Sequence, residues 1–189
     1  EKICSGSSTS ITLSGHTGTI QWQSSTDNTN FSDIGGQTTT SLSTGNLTAT
    51  TYYRAKLTSG SCDPAYSSTA TVTVDPTSVG GTAAPTLANV CSGSGTTINL
   101  SGYTGTIQWQ KLNGSAWVNI DGQTSATLST GDLTTTTSYR AVVTSGVCSS
   151  NNSSETTVNV DPTSVGGTAA PTLANVCSGS GTTVKLSGN

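Results

Sequence analysis

A long internal repeat constrains this chain more than any other feature of its sequence. The 23 residues DPTSVGGTAAPTLANVCSGSGTT at 75–97 recur unchanged at 161–183, which gives a period of 86 residues. Six more residues keep this spacing to within one residue: Cys4, Trp22, Tyr53, Arg54, Cys62 and Val74 recur as Cys91, Trp109, Tyr139, Arg140, Cys148 and Val160. A fixed period of this length is typical of tandem units that contact only their neighbours. We therefore expect a linear array of similar modules.

The repeat divides the chain into three units. We predict a module at 1–75 whose first strand is truncated and a complete module at 76–161 whose linker is 76–86. Residues 162–189 are predicted to be the linker and first strands of a truncated third module. Because the chain starts and stops out of register with its own repeat, we expect it to be a segment of a longer filament.

Composition and short-range patterns both favour β-structure. The chain has 39 Thr and 31 Ser, and Thr suits the solvated face of a strand. Short runs of alternating apolar and polar residues are separated by Gly, Ser, Asn and Asp. In the second copy we predict strands near 87–91, 97–100, 106–110, 117–120, 126–128, 138–144 and 156–160. Seven short antiparallel strands predict an all-β fold, with each module a seven-stranded β-sandwich of immunoglobulin-like or fibronectin-like type.

Four aromatic residues are predicted to be structural. Trp22 and Trp109 lie in the repeated strand sequence TIQWQ, and alternation places their side chains on the inner face. Tyr53 and Tyr139 each open a strand six residues after a Leu, which is the pattern of the tyrosine corner in Greek-key sandwiches. The recurrence of both features in each period supports the sandwich interpretation.

These residues also carry a family resemblance. The order Cys-Ser-Gly, Leu-Ser-Gly, Thr-Gly-Thr-Ile-Gln-Trp-Gln, Gly-Gln-Thr, Tyr-Arg-Ala, Ser-Gly-x-Cys and Val-x-Val-Asp-Pro resembles the bacterial immunoglobulin-like repeats of giant Bacteroidota cell-surface adhesins of gliding motility. The resemblance covers essentially the whole chain. It implies export by the type 9 secretion system, display as a filament at the cell surface, and partners in the secretion and gliding machinery.

The five cysteines are predicted to form disulfides. Successive cysteines lie 29 residues apart or more, and this spacing is unlike the close Cys and His pairs of zinc sites. We predict Cys4 with Cys62 and Cys91 with Cys148, since each module is then closed within itself. Cys177 is expected to pair with a residue beyond the chain end. Disulfides require an oxidising compartment, so we expect an extracellular, cell-surface location.

Catalytic, cofactor and metal sites are not predicted. The single histidine, His16, is replaced by Tyr103 in the second copy, and the acids shared by the modules are Asp75 and Asp161 in the Asp-Pro linker. Asp27, Asn28, Asn30 and Asp33 offer oxygen ligands for calcium. Their counterpart in the second copy, 111–119, contains Lys111 and lacks the carboxylates, so we interpret the cluster as a solvated turn.

We therefore expect a structural or adhesive protein and not an enzyme. The net charge of −3 and the six scattered basic residues argue against nucleic acid as a partner, and the chain lacks an apolar run long enough for membrane insertion. Neighbouring modules are the expected partners, with surface glycans or a substratum as further ones. An alternative is a spacer or carbohydrate-binding module of a secreted polysaccharide-degrading enzyme, with Phe31, Tyr66 and Trp117 as candidate sugar-stacking residues.

Two further expectations concern particular side chains. Arg54 and Arg140 point outward from a predicted strand, where each binds a ligand, covers apolar surface with its stem or pairs with a nearby acid. The sequence-identical connectors are expected to pack against the neighbouring module through Val79 and Leu87.

Overall fold

A computed structural model describes residues 1–188, and within them the regular structure is entirely β. The all-β fold expected from the composition and the alternating short runs is therefore confirmed. The strands of residues 1–75, module 1, are β1 (Lys2–Cys4), β2 (Ser10–Thr12), β3 (Thr19–Ser25), β4 (Ser32–Asp33), β5 (Ser41–Ser43), β6 (Thr51–Thr58), β7 (Ala65–Tyr66) and β8 (Ala70–Asp75).

The remaining strands belong to residues 76–188. Those of module 2, residues 76–161, are β9 (Thr82–Pro85), β10 (Asn89–Cys91), β11 (Thr97–Ser101), β12 (Thr106–Asn113), β13 (Ala116–Asn119), β14 (Thr127–Ser129), β15 (Thr137–Thr144), β16 (Asn151–Asn152) and β17 (Thr156–Asp161). Two more follow: β18 (Thr168–Pro171) and β19 (Val184–Ser187).

Each module is a sandwich of a larger and a smaller sheet. The larger sheet has the order β1-β8-β6-β3-β4 in module 1 and β10-β17-β15-β12-β13 in module 2, with β7 or β16 also paired to the central strand β6 or β15. The smaller sheet is β2-β5 in module 1 and β9-β11-β14 in module 2. Strand β1 pairs in parallel with β8, and β10 with β17, whereas the other pairs in the larger sheets are antiparallel.

The space between the two sheets is filled by one apolar cluster per module. Trp22 and Trp109 lie at the centres of these clusters and are 2% and 0% exposed. Each indole Nε1–H donates a hydrogen bond to a backbone carbonyl, Thr39 at 2.8 Å and Ser125 at 2.9 Å. A buried indole therefore keeps its donor satisfied while its ring supplies the largest apolar contact of the core.

The two corner tyrosines are buried in the same clusters. Tyr53 and Tyr139 are 3% and 2% exposed, and burial raises the pKa of both hydroxyls above the usual value. Six residues earlier in the chain, Leu133 is also buried, and its backbone exchanges hydrogen bonds with Gly93 and Ser94. The corner thus fixes the connection between the two sheets.

One strand lies where the sequence predicts a linker. Residues 82–85, within the predicted linker 76–86, form β9 and pair with β11, so that Ala83 lies opposite Leu100 and is 6% exposed. The sequence Thr-Ala-Ala-Pro has few strong β-formers, and packing against β11 overrides that weak propensity. Pro85 is tolerated because β9 is an edge strand. The true connector is therefore only 76–81.

Residues 162–188 repeat the start of module 2 without its core. Strands β18 and β19 pair in the register of β9 and β11. Val184 and Leu186 are 66% and 59% exposed, whereas their counterparts Ile98 and Leu100 are 0% and 6% exposed. This ribbon thus presents to solvent the apolar face that module 2 buries.

Core packing gives a direct test of the two-sandwich fold. Leu42 and Leu128 occupy equivalent positions and are each 1% exposed. We expect Leu42→Ala or Leu128→Ala to lower the free energy of unfolding of its module by about 2–5 kcal/mol, because each leaves a cavity. Val118→Ala, at a 42% exposed position, is the control and should change stability by less than about 0.5 kcal/mol. Equal effects of all three variants in denaturant titrations would contradict the assignment.

Candidate functional site at the junction between the modules

The junction begins where β1 lies beside the last strand of module 1. In the parallel pair β1–β8, Cys4 lies opposite Asp75, and the Ser5 N–H donates to the Asp75 carbonyl oxygen at 2.8 Å. Asp75 ends β8, and the chain passes from there to module 2. Cys4 therefore lies at the end of module 1 that faces the next module.

A disulfide crosses this junction. The structure bonds Cys4 to Cys148, residues 144 apart in sequence, with a Cα–Cα distance of 4.9 Å. Cys62, Cys91 and Cys177 are exposed free thiols within the described residues. Each disulfide was expected to close one module, but the bond found here joins module 1 to module 2.

The predicted pairs Cys4 with Cys62 and Cys91 with Cys148 are therefore wrong, and the reason is strand geometry. Strand β6 runs antiparallel to β8, and its first residue, Thr51, lies opposite Val72, near the end of β8. Cys4 lies opposite Asp75, the last residue of β8, so it lies at the end of the sheet where β6 begins. Cys62 follows the opposite end of β6, an eight-residue strand that spans roughly 25 Å. A disulfide tolerates a Cα–Cα distance of only about 7 Å. The prediction for Cys177 stays a prediction.

Asp75 also holds the hairpin that carries Cys148. Its Oδ2 accepts a hydrogen bond from the Val147 N–H at 3.1 Å. Gly146 has a φ of +50°, and a Cβ at this position would overlap the Asp75 carboxylate. A glycine is thus required there for both its backbone conformation and the close approach. Asp75 of one module therefore positions the cysteine hairpin of the next.

The connector 76–81 packs along module 2 through its backbone. The buried Ser78 hydroxyl accepts a hydrogen bond from the Ser145 N–H at 2.9 Å. Val79 and Thr104 exchange two backbone hydrogen bonds of 3.2 and 3.0 Å. Gly80 lies so close to the Asn152 carbonyl that a Cβ would overlap it. The connector is therefore part of the surface of module 2 and does not act as a free hinge.

The expected packing by Val79 and Leu87 is wrong. Their side chains are 41% and 57% exposed. Backbone hydrogen bonds and the disulfide join the modules instead. An open cleft of about 740 Å³ remains between them, bordered by Lys2, Thr77 and Val147.

The outward arginines are covered by aromatic rings. The Arg54 guanidinium carbon lies 4.1 Å from the ring centre of Phe31 and 4.2 Å from that of Tyr66. Its Nε donates to Gln23 Oε1 at 2.8 Å, and Gln23 Nε2 donates to Asp33 Oδ1 at 2.7 Å. This arrangement is a cation–π stack with its guanidinium oriented by hydrogen bonds.

Module 2 repeats the stack with one ring. The guanidinium carbon of Arg140 lies 4.4 Å from the centre of the Trp117 ring, and its Nε donates to Gln110 Oε1 at 2.9 Å. A carboxylate oxygen of Glu155, Oε1, lies 4.0 Å from the Nη1 atom of Arg140. All three candidate sugar-stacking residues therefore contact an arginine, which occupies a ring face that a sugar would need.

The loop considered above as a calcium site is held in shape by hydrogen bonds to the carboxylate of Asp27. Asp27 Oδ1 accepts hydrogen bonds from the Asn30 and Thr29 N–H groups, both at 2.8 Å, and from the Ser25 hydroxyl at 2.7 Å. These bonds, that from the Asn30 N–H above all, hold the pKa of Asp27 well below its usual range. Asn28 takes a φ of +59°, as is common for Asn in tight turns. The cluster is thus a capped turn.

The remaining predicted positions lie apart from the junction. His16 is partly buried, and its Nδ1 has no hydrogen-bond partner among the described residues. Its counterpart Tyr103 is 37% exposed. Sequence reasoning treated Asp75 only as part of a linker and missed its contact with the hairpin. Its recurrence as Asp161 was the signal that could have revealed this contact.

With this geometry established, a comparison with protein families gives a match over most of the chain. The family described as "Domain of unknown function (DUF8696)" matches twice, at residues 1–76 and 79–162. The chain belongs to the DUF8696 family. No curated protein matches it in sequence.

Solved structures similar to this DUF8696 chain have immunoglobulin-like folds. Murine CEACAM1b is 17% identical with a TM-score of 0.53, covering 86% of this chain and 96% of that chain. A marsupial T cell receptor is 12% identical with a TM-score of 0.56, covering 93% of this chain and 76% of that chain. Domains from titin are 14% identical with a TM-score of 0.50, covering 85% of this chain and 61% of that chain. At these identities the likeness shows the fold alone.

The disulfide indicates the compartment in which the chain folds. Disulfides form and persist in oxidising environments and are typical of extracellular proteins. Within residues 1–188, no helix is long and apolar enough to cross a membrane.

The close approach of Gly80 to module 2 can be tested by comparing it with Gly166, which has the same neighbouring residues in the sequence. We expect Gly80→Ala to lower the free energy of unfolding of module 2 by about 1–3 kcal/mol, because the added methyl group meets the Asn152 backbone. Gly166, at the same position of the repeat, has nothing within 4 Å of an added Cβ. Gly166→Ala should leave stability unchanged. If thermal unfolding shows no difference between the two variants, the connector does not pack as described.

Proposed function

We propose that this chain is a non-enzymatic, load-bearing segment of a long extracellular filament with a structural or adhesive role. The observation that carries the proposal is the double connection between the modules. The six-residue connector 76–81 forms one link and the Cys4–Cys148 disulfide forms the other. Two separate attachments restrict both bending and rotation at the joint, as a stalk requires.

The disulfide also shortens the covalent path that carries tension between the two ends of the chain. Cys4 lies near the start of module 1, and Cys148 lies in the last hairpin of module 2. A force that pulls the two chain ends apart passes directly from one cysteine to the other. The backbone at 5–147 carries little of this force, so strands β2 to β15 are shielded from stretching, whereas β17 lies outside the closed loop.

The sequence resemblance supports a more specific role. The repeated motifs resemble those of the gliding-motility adhesin SprB, a surface adhesin of Bacteroidota. We propose that the modules form part of a comparable cell-surface filament exported by the type 9 secretion system. Its partners would be neighbouring modules, the secretion and gliding machinery, and glycans or a substratum at the adhesive end.

The alternative, a carbohydrate-binding module, is less well supported. Phe31, Tyr66 and Trp117 would have to present flat faces to a sugar, yet arginine guanidinium groups stack on them. A glycan array with the intact chain separates the two functions, because a stalk should give no binding. Binding that is lost in Trp117→Ala and Tyr66→Ala would favour the alternative.

Single-molecule stretching tests the load-bearing proposal directly. Over 144 residues the bond encloses a contour of about 500 Å, at up to ~3.6 Å per residue. With the chain held by its two ends, Cys148→Ser or added reductant should increase the final contour length by about this amount. Cys62→Ser is the matched control, since it removes the equivalent but unbonded hairpin cysteine, and should have no effect. Equal lengths with and without reductant would rule out the shielding route.

A further inference from the structure

The outer face of strand β6 in module 1 carries two cations next to each other. Ala55 is buried in the core, so Arg54 and Lys56 on either side of it lie on the outer face of the larger sheet. Residues two apart along a strand are separated by about 6.8 Å. Among the described residues, the one ion pair joins Arg140 to Glu155. The two cations of module 1 therefore have no acidic partner within the chain.

The neighbouring side chains fix the orientation of the Arg54 guanidinium. Phe31 and Tyr66 reach it from opposite sides of β6, because β3 and β4 lie on one side of this strand and β7 on the other. Gln23, which is 7% exposed, accepts a hydrogen bond from its Nε.

The two Nη groups of Arg54 are the donors that remain for a ligand. Within the part of the chain that the structure describes, Nε is the one nitrogen of this guanidinium that donates a hydrogen bond to the protein. The edge formed by Nη1 and Nη2 binds a carboxylate through two parallel hydrogen bonds. Arg54 is therefore held in position for a carboxylate that the chain itself does not supply.

Module 2 has the same arginine without the second cation. Val142 occupies the position of Lys56. Glu155, which occupies the position of Thr69, lies 4.0 Å from Arg140. The charge of Arg140 is therefore balanced by an acid of its own module. The chain thus contains both a candidate anion site and a matched position that lacks it.

Adjoining modules leave this face of the sheet accessible. Module 1 has its following module in place, and Arg54 and Lys56 are partly exposed. Module 2 has its preceding module and connector in place, and the equivalent residues Arg140 and Val142 are also partly exposed, while Asn152 beside them is exposed. A neighbour on either side therefore does not cover this part of a module.

We propose that Arg54 and Lys56 bind an extended acidic segment of a partner protein, in which two acidic residues are separated by one residue. An extended chain places two such side chains on one side, about 6.8 Å apart, which is the spacing of the two cations. One carboxylate accepts hydrogen bonds from the Arg54 Nη groups, and the other pairs with the Lys56 ammonium group. This inference goes beyond the proposed stalk function, because it gives the side of the stalk a partner.

The geometry favours a peptide over an acidic polysaccharide. The rings of Phe31 and Tyr66 already contact the guanidinium, so they do not offer a free stacking surface for a sugar. Recognition therefore depends on the anionic groups and on the distance between them. Asp33 belongs to the same cluster, since its Oδ1 accepts a hydrogen bond from Gln23 at 2.7 Å. Its negative charge opposes binding of a carboxylate.

An NMR titration of the intact chain tests the proposal with defined peptides. The probe is the end-blocked peptide Ser-Glu-Thr-Glu-Ser. The control Ser-Glu-Glu-Thr-Ser has the same charge, but its two acids point to opposite sides of an extended chain. The side-chain Nε–H signals of Arg54 and Arg140 report on the two modules separately. We expect the probe to shift the Arg54 signal and not the Arg140 signal, and to bind at least about threefold more tightly than the control.

Three single substitutions follow the two charges and the opposing acid. Arg54→Gln should weaken binding of the probe by about tenfold, because it removes hydrogen bonds between charged groups. Lys56→Val introduces the residue of module 2 and should weaken it by about threefold. Asp33→Asn also introduces the residue of module 2 and should strengthen it by about threefold, because it removes a like charge. The backbone amide signals of β6 measure binding in all three variants.

The same site should be transferable to module 2. Val142→Lys combined with Glu155→Thr gives Arg140 the neighbours that Arg54 has. The probe should then shift the Arg140 Nε–H signal as well.

Four results would overturn the proposal. They are no binding of the probe, equal affinity for the two charged peptides, unchanged affinity in Arg54→Gln, and tighter binding of an oligogalacturonate than of the probe. None of the substitutions alters the Cys4–Cys148 bond, so the stalk proposal and this one can fail separately.

Discussion

The bond between Cys4 and Cys148 is the constraint on which the arrangement of the two modules depends. A disulfide forms only when its Cα atoms lie within about 7 Å, so the last hairpin of module 2 must reach the first strand of module 1. The parallel pairing of β1 with β8 makes this possible, because it places Cys4 beside the residue at which the chain leaves module 1. Asp75 and Gly146 then fit the hairpin against that point.

This bond acts differently from one that closes a single sandwich. An internal disulfide stabilises a module mainly by restricting its unfolded chain. The bond found here encloses most of both modules, so it links their stability and also fixes their relative orientation. The apolar clusters remain separate, one around Trp22 and one around Trp109. Each module therefore folds around its own core, while the connector and the disulfide hold the two modules together.

The sequence predicted what depends on local pattern and missed what depends on where strands end. Alternation was sufficient to place Trp109 and Tyr139 in the core, because a strand has a period of two regardless of its neighbours. The disulfide pairing depends on which end of a strand each cysteine occupies, and the spacing of Cys4 and Cys62 does not contain that information. Strand β9 was missed because Thr-Ala-Ala-Pro becomes a strand only through contact with β11. Only part of the arginine stacks could be predicted. The outward direction of each arginine follows from alternation, whereas the aromatic rings that contact it belong to strands and loops far from it in the sequence.

The identity of residues 75–97 and 161–183 has a physical explanation in the same joint. Asp75 ends one module and holds a hairpin of the next, the connector lies against two loops of module 2, and β9 and β10 join different sheets of that module. Several residues in this segment contact more than one surface: a change at Asp75 would disturb both modules, and a change at Gly80 would disturb the contact between the connector and module 2. The loop around Asp27 makes its hydrogen bonds within itself, so it can change in length without affecting a neighbour. Variation is therefore tolerated in that loop and restricted at the joint, where residues of the connector and of both modules meet.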